Sequence, residues 1–225
     1  MMLYDFHTHS FHSDGELSPL ELIRRARVNG YQVIGITDHL AIGSLERVIK
    51  EVSMDCDLAR KYWDIVALPG VELTHLPPQA IDEVARKARR LGAQVVVVHG
   101  ESIAEPVAEG TNMAAVQSAY VDILAHPGLI TDEAAAIAAK NGIFLELSGR
   151  KSHSSTNRHV ALVAEKTDAR MLVNSDAHDE DDLLTDEKVD KILEKAGVEA
   201  RRQEILVQNP RLLMEKIQSR SDKLV

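Results

Sequence analysis

Leu3-Tyr4-Asp5-Phe6-His7-Thr8-His9-Ser10-Phe11-His12-Ser13-Asp14-Gly15 begins as a short apolar run and turns into a cluster of imidazoles and acid. Ser18-Pro19 then opens a helical segment, with serine at the N-cap and proline at the first helical position, and Asn29-Gly30 closes it. This unit recurs along the chain. Apolar runs lie at Leu3–Phe6, Val33–Ile36, Ile65–Leu68, Val95–Val98, Val121–Leu124, Ile143–Leu147 and Met171–Val173. Helical spacing fills the gaps, as in Pro78–Leu91, ended by Gly92, and Thr131–Lys140, ended by Asn141-Gly142. Seven runs in 225 residues give about one βα unit per 32 residues, the size of a βαβ module. Strands alternating with helices imply an α/β protein with a parallel sheet, either open and doubly wound or closed into a barrel. The glycine fingerprint that would favour the open form is absent after the first run.

No linker rich in proline, glycine or serine interrupts the rhythm. The chain therefore reads as one domain over residues 1–225, with a core at about 3–180 and C-terminal helices at about 181–219. Arg211 to Gln218 reads as a final helix packed on the outside, and residues after Ser219 are expected to fray. The net charge of −9 and an aromatic content of 4% weigh against nucleic acid, which needs clustered cations and stacking rings. The longest aliphatic run, Val95–Val98, is too short to span a bilayer. Met1 leads into Leu3 with no basic and apolar leader, so no signal peptide is expected. The single cysteine, Cys56, excludes an internal disulfide and a cysteine-based zinc site, and suits a cytoplasmic setting. Cys56 and Trp63 read as packing residues of the second helix.

The chemistry gathers after the apolar runs. His7, His9 and Asp14 follow the first, Thr37-Asp38-His39 the second, and Pro69-Gly70-Val71-Glu72 the third. His99-Gly100 follows the fourth, His126-Pro127-Gly128 the fifth, and Asn174-Ser175-Asp176-Ala177-His178 the last. Any one of these histidines alone is more often a structural hydrogen-bonding residue than a ligand. Together they are different: six of ten histidines fall directly after runs, on five separate units. A His-x-His pair on a strand aims both rings to one face, and the C-terminal ends of parallel strands share one mouth. So many imidazoles and acids at one rim, without a cation, would cost several kcal/mol in desolvation and repulsion. Imidazole and carboxylate without thiolate suit zinc, manganese or iron(II). Nine side chains exceed what a single ion takes.

In order, the chain carries His7-Thr8-His9, Ser13-Asp14-Gly15, Thr37-Asp38-His39, Gly70-Val71-Glu72, the lone His99, His126-Pro127 and Ser175-Asp176-Ala177-His178. This ordered set resembles the PHP (polymerase and histidinol phosphatase) family from Asp5 through His178. The resemblance implies a distorted seven-stranded (β/α) barrel, TIM-like, with three divalent metal ions. It further implies that His7, His9, Glu72 and Asp176 hold one ion. Glu72 would bridge to a second, held with His99 and His126, and Asp14, His39 and His178 would hold the third. His12, two residues before Asp14, could reach the third ion instead.

The activity so implied is hydrolysis of a small phosphomonoester, histidinol phosphate or similar, by metal-activated hydroxide. Glu72, Asp176, His178 and Arg150 form the expected catalytic set. Arg150 follows the sixth run, the one without an assigned ligand, and is placed either to clamp phosphate oxygens or to sit solvated on the surface. Lys151, His153 and Arg158 share its polar loop and could contact substrate, although each singly reads as loop surface. Glu146 and Asp5 read as partners that orient ligating rings, while His75 and His159 read as non-ligands. A phosphodiesterase or 3′-5′ nuclease ranks second, because the family's domain edits DNA beside polymerases, yet cations and aromatics are sparse here. A catalytically silent partner-binding domain would have lost ligands, and none is lost. Amidohydrolases also begin with His-x-His, but typically bridge their ions with a carboxylated lysine where this chain offers Glu72.

Overall fold

A computed structural model of the chain describes residues 3–221. Its strands are β1 (Leu3–Asp5), β2 (Tyr31–Ile36), β3 (His39–Leu40), β4 (Val66–Leu73), β5 (Val95–His99), β6 (Ile123–Ala125), β7 (Phe144–Ser148) and β8 (Met171–Asn174). Its helices are α1 (Pro19–Val28), α2 (Leu45–Tyr62), α3 (Ile81–Arg90), α4 (Thr111–Gln117), α5 (Asp132–Asn141), α6 (Asn157–Thr167), α7 (Asp186–Ala196) and α8 (Asn209–Ser221). The sheet runs β1-β2-β4-β5-β6-β7-β8, every pairing parallel, with β3 beside the upper half of β4. Seven parallel strands thus form a nearly closed TIM-like barrel inside a ring of helices, as the α/β rhythm and the resemblance imply. Among the described residues no helix is long and apolar enough to cross a membrane.

Local chemistry sets the helix ends. Ser18 Oγ accepts the Glu21 N–H at the start of α1, and Thr131 and Thr185 cap α5 and α7 in the same way. Gly142 ends α5 at φ +65°, a left-handed turn that a side chain would strain.

Two strands differ from the apolar runs. The second unit breaks after Ile36, so His39 lies in the separate strand β3, opposite Glu72, rather than in a loop. The break has a polar cause: the Asp38 carboxylate accepts the Ser10 N–H and both the Ser10 and Ser13 hydroxyls, each at 2.8 Å. Meanwhile β4 runs through Pro69, whose carbonyl still accepts the Gln94 N–H at 2.7 Å, and carries Glu72 inside the strand.

Two apolar layers result. Leu22, Ile49, Val96 and Leu145 belong to the layer between strands and helices. Phe6, Val33, Leu68, Val97, Phe144 and Leu172 fill the barrel interior, joined there by Leu213 and Ile217 of α8. α8 therefore closes the base of the barrel, rather than lying on its outside, because Leu213 and Ile217 stand four residues apart on one helix face. Asp122, just before β6, pins that helix through Arg220 and Lys216 and is also bound by Arg89. Burial pushes the Asp122 carboxyl up, but these three cations outweigh it and hold it at about 2. Arg220 is accordingly part of the helix and not frayed; residues 222–225, the rest of that expectation, lie outside the described residues.

Leu213 is fully buried. Leu213→Ala is expected to cost about 2–5 kcal/mol of stability, read as a lower urea midpoint at unchanged slope.

Candidate metal centre

Side chains of a strand alternate between faces, and here each inner face starts apolar and ends ionisable. Leu68 and Glu72 share a face of β4, Val95, Val97 and His99 one of β5, and Phe144 and Glu146 one of β7. The loops directly beyond the strands add His7, His9, His126, Asp176 and His178. Two of these carry unusual backbone: φ is +27° at His126 and +55° at Asp176. Such conformations cost about 1–3 kcal/mol each and persist only where surroundings enforce them. At Asp176 the N–H is held by the His7 carbonyl at 3.0 Å. At the other turn, Gly128 sits so close that a Cβ would lie 1.9 Å from the Glu101 carbonyl oxygen.

Glu72 and Asp176 occupy the middle. Glu72 Oε1 lies 3.4 Å from His7 Nε2 and 3.5 Å from His126 Nε2. Asp176 Oδ1 lies 3.1 Å from His9 Nε2, and its Oδ2 is 3.8 Å from His126 Nε2. Toward solvent, Asp14 Oδ1 lies 3.2 Å from His178 Nε2 and 3.6 Å from His39 Nε2, with the rings of His39 and His178 each 4.2 Å from that of His9. His12 turns away, 3.5 Å from Glu51, so Asp14 and not His12 faces this group. His99 joins through its ring, 4.4 Å from that of His126. All nine expected side chains converge on one rim.

In four of the rings a hydrogen bond at Nδ1 sets which nitrogen is left for the centre. Nδ1 of His7 meets Glu146 Oε2 at 2.7 Å, that of His39 meets Thr74 Oγ1 at 2.7 Å, and that of His99 the Gly100 carbonyl at 3.1 Å. His178 Nδ1 meets the Asp176 carbonyl at 2.9 Å. A ring that donates outward from Nδ1 keeps the Nε2 lone pair inward, as a metal ligand requires. Glu146 thus orients an imidazole, as the sequence suggests. Asp5 instead accepts the peptide N–H groups of His7 and Ser175 and the Tyr31 hydroxyl, tying backbone to backbone.

The charges do not settle among themselves. Burial opposes a proton on His7, yet Glu146, Glu72 and Asp176 hold it well above the imidazole range. Burial, with His39 and His7 beside it, drives His9 well below that range. Burial pushes Asp176 up to about 6, whereas His39, His7 and His99 overcome the burial of Glu72 and hold it low. Buried His9 Nδ1, Glu72 Oε1, His126 Nδ1, Glu146 Oε1 and Asp176 Oδ2 have no hydrogen-bond partner. Each such atom costs about 1–3 kcal/mol. Dications among these oxygens and nitrogens would satisfy the central ones, so the donor set fits a metal centre.

Above the cluster opens a pocket of about 620 Å³. Arg150 lines it, its Nη1 against His178 Nδ1 and 3.7 Å from Asp182. His153, read singly from sequence as loop surface, also lines it, together with His75 and with Glu105, the latter singled out by nothing in the sequence. His153 is only 6% exposed and is no loop-surface residue. The signal was present, since His153 follows β7 as the other histidines follow their strands. Glu105 bridges His99 at 3.1 Å and His75 at 3.3 Å from an irregular loop, which no periodicity marks. His159 stays outside, bonded to the Ile130 carbonyl, and Arg158 lies beside Gly197, not at the mouth.

Comparison with known proteins agrees with this geometry. Residues 5–207 match the PHP domain. An uncharacterized protein of Methanocaldococcus jannaschii is 44% identical over 218 residues, covering 96% of this chain and 100% of that one. Among solved structures, an archaeal ribonuclease P with mature tRNA contains a chain that superposes with a TM-score of 0.65 at 18% identity, covering 99% of this chain and 92% of its own. A putative histidinol phosphatase from Listeria monocytogenes superposes at 0.57 with 14% identity, covering 80% and 96%. At those identities the two structures share the fold. The chain belongs to the PHP domain family, whose members are metal-dependent phosphoesterases.

Proposed function

We propose that this protein is a phosphomonoesterase acting on a small phosphorylated substrate, histidinol phosphate or a compound like it, in a cytosolic setting. The observation that carries the reading is the pair Glu72 and Asp176. Both are buried among four imidazoles, and each has one oxygen without a hydrogen-bond partner. In this reading His7, His9, Glu72 and Asp176 hold one dication. Glu72 bridges to a second, held with His99 and His126, and Asp14, His39 and His178 hold a third. Zinc, manganese and iron(II) all suit these donors. Bound dications would supply an acidified water and positive charge against the phosphoryl group.

The chain's own residues choose the substrate. Among the described residues Arg150 is the one arginine or lysine lining the pocket, whose lining also holds the acidic Asp14 and Glu105. One cation matches one terminal phosphate, whereas a nucleic-acid backbone needs several. His178 Nδ1 cannot accept from Arg150 while giving its own proton to the Asp176 carbonyl. In the tautomer that leaves His178 Nε2 free for an ion, Arg150 Nη1 keeps the Asp176 carbonyl at 3.3 Å and Asp182 at 3.7 Å, and the remaining N–H groups of the guanidinium can take phosphate oxygens.

Stripping metal with a chelator is expected to abolish phosphatase activity, and readdition of zinc, manganese or iron(II) to restore it. In a substrate panel histidinol phosphate should exceed a generic aryl phosphate; preference for bis-nitrophenyl phosphate or single-stranded DNA would favour the diesterase instead. Arg150→Ala is expected to raise KM for the monoester by about 10-fold or more, the worth of one charge-assisted pair, with Arg150→Lys recovering part. Glu146→Gln removes the carboxylate behind His7 and should weaken metal binding about 10–100-fold, measured by competition with a chromogenic chelator.

A further inference from the structure

We propose that His153 is an additional ligand of the ion assigned above to His99 and His126, giving that ion three imidazoles besides Glu72. The inference rests on the metal-centre reading and adds a residue to it.

Ligand-capable nitrogens of His99, His126 and His153 all lie within 4.8 Å of one another. The His153 ring stacks on that of His126, centroids 4.0 Å apart and planes 17° apart. Nε2 of each ring lies near the same oxygen, Asp176 Oδ2, at 3.8 Å for His126 and 4.0 Å for His153. On the other side, His153 Nε2 looks toward Asp176 Oδ2 at 4.0 Å and Glu105 Oε1 at 3.7 Å, across the pocket floor. Nδ1 is occupied elsewhere: it meets Ser102 Oγ at 2.6 Å. That oxygen already accepts the Ala104 N–H at 3.2 Å and has a second lone pair for an Nδ1–H. This tautomer leaves Nε2 with its lone pair toward the ion, the arrangement His7 has with Glu146.

Ser102 is a firm anchor. Glu101 and Asn112 exchange two hydrogen bonds of 2.9 Å, and Asn112 Nδ2 donates to the Pro127 carbonyl at 2.8 Å. Gly128 lets the 126–128 turn press on Glu101. His99, Ser102 and His126 are therefore held as one body, and His153 docks onto it from the β7 side. An imidazole that is 94% withdrawn from solvent and fixed at one nitrogen has little rotamer freedom to lose on binding an ion.

The test reads ion occupancy rather than turnover. Wild type and His153→Ala are loaded with zinc, dialysed against graded chelator and analysed for metal, with His126→Ala as the reference for loss of a ligand to the same ion. In His153→Ala one ion should be released at about 10-fold lower chelator or less, as in His126→Ala, while the others stay. The cobalt(II) visible spectrum should change in intensity with the missing nitrogen. Ser102→Ala should give a smaller shift in the same direction. If His153→Ala does not fold by circular dichroism, His153→Gln, which keeps a partner for Ser102 without an imidazole, takes its place. Unchanged release and spectrum would overturn the proposal, including where activity alone falls, since His153 would then touch substrate and not the ion. If wild type itself retains no ion, the metal-centre reading fails first.

Discussion

The barrel closes where its chemistry begins. β1 has three residues and forms no ladder with β8. The seam is made just beyond both strands, where His9 donates its N–H to Ala177 at 2.8 Å and Asp176 donates to His7 at 3.0 Å. Below them, Asn174 Oδ1 accepts the Phe6 N–H, and Asp5 accepts those of His7 and Ser175. The residues that join the first and last strands are those whose side chains form the centre. Anything that spreads His7 from Asp176 opens the sheet as well, so fold and site are one constraint at this seam.

From that seam the interior is graded. Its lower part is filled by Phe6, Val33, Leu68 and their neighbours, and its upper part holds ionisable groups, five of whose buried polar atoms have no hydrogen-bond partner. A low-dielectric floor strengthens every charge above it. Left to themselves, the acids and imidazoles adopt opposed protonation states, His7 high and His9 low although their Nε2 atoms are 3.0 Å apart. The strained backbone at His126 and Asp176 adds to the cost. Apolar packing beneath the centre must carry this burden, which is why the ring of helices and the basal helix matter to the site.

Much of this was legible in the residues. Alternation of apolar runs with capped helices implies the parallel α/β order, and the position of His and acid after six of the seven runs puts the nine side chains at one rim. What escaped was set by contacts distant in sequence. Asp38 breaks the second strand because Ser10 and Ser13, on another unit, satisfy it. Ser102 and His153 are 51 residues apart, and no local pattern announces that they meet. Glu105 lies in a loop without periodicity. The last helix reads from its sequence as an amphipathic segment, and only the open base of a barrel tells which apolar surface its stripe will cover.

That basal helix has a consequence for traffic. Leu213 and Ile217 pack among the interior side chains and Asp122 holds the helix through Arg220 and Lys216, so among the described residues the base of the barrel is filled. The pocket over the centre opens at the other end, so a molecule that reaches the centre through it also leaves through it. If the proposed phosphatase activity holds, departure of the product and arrival of the next substrate would compete for that opening, and release rather than bond cleavage would set the pace.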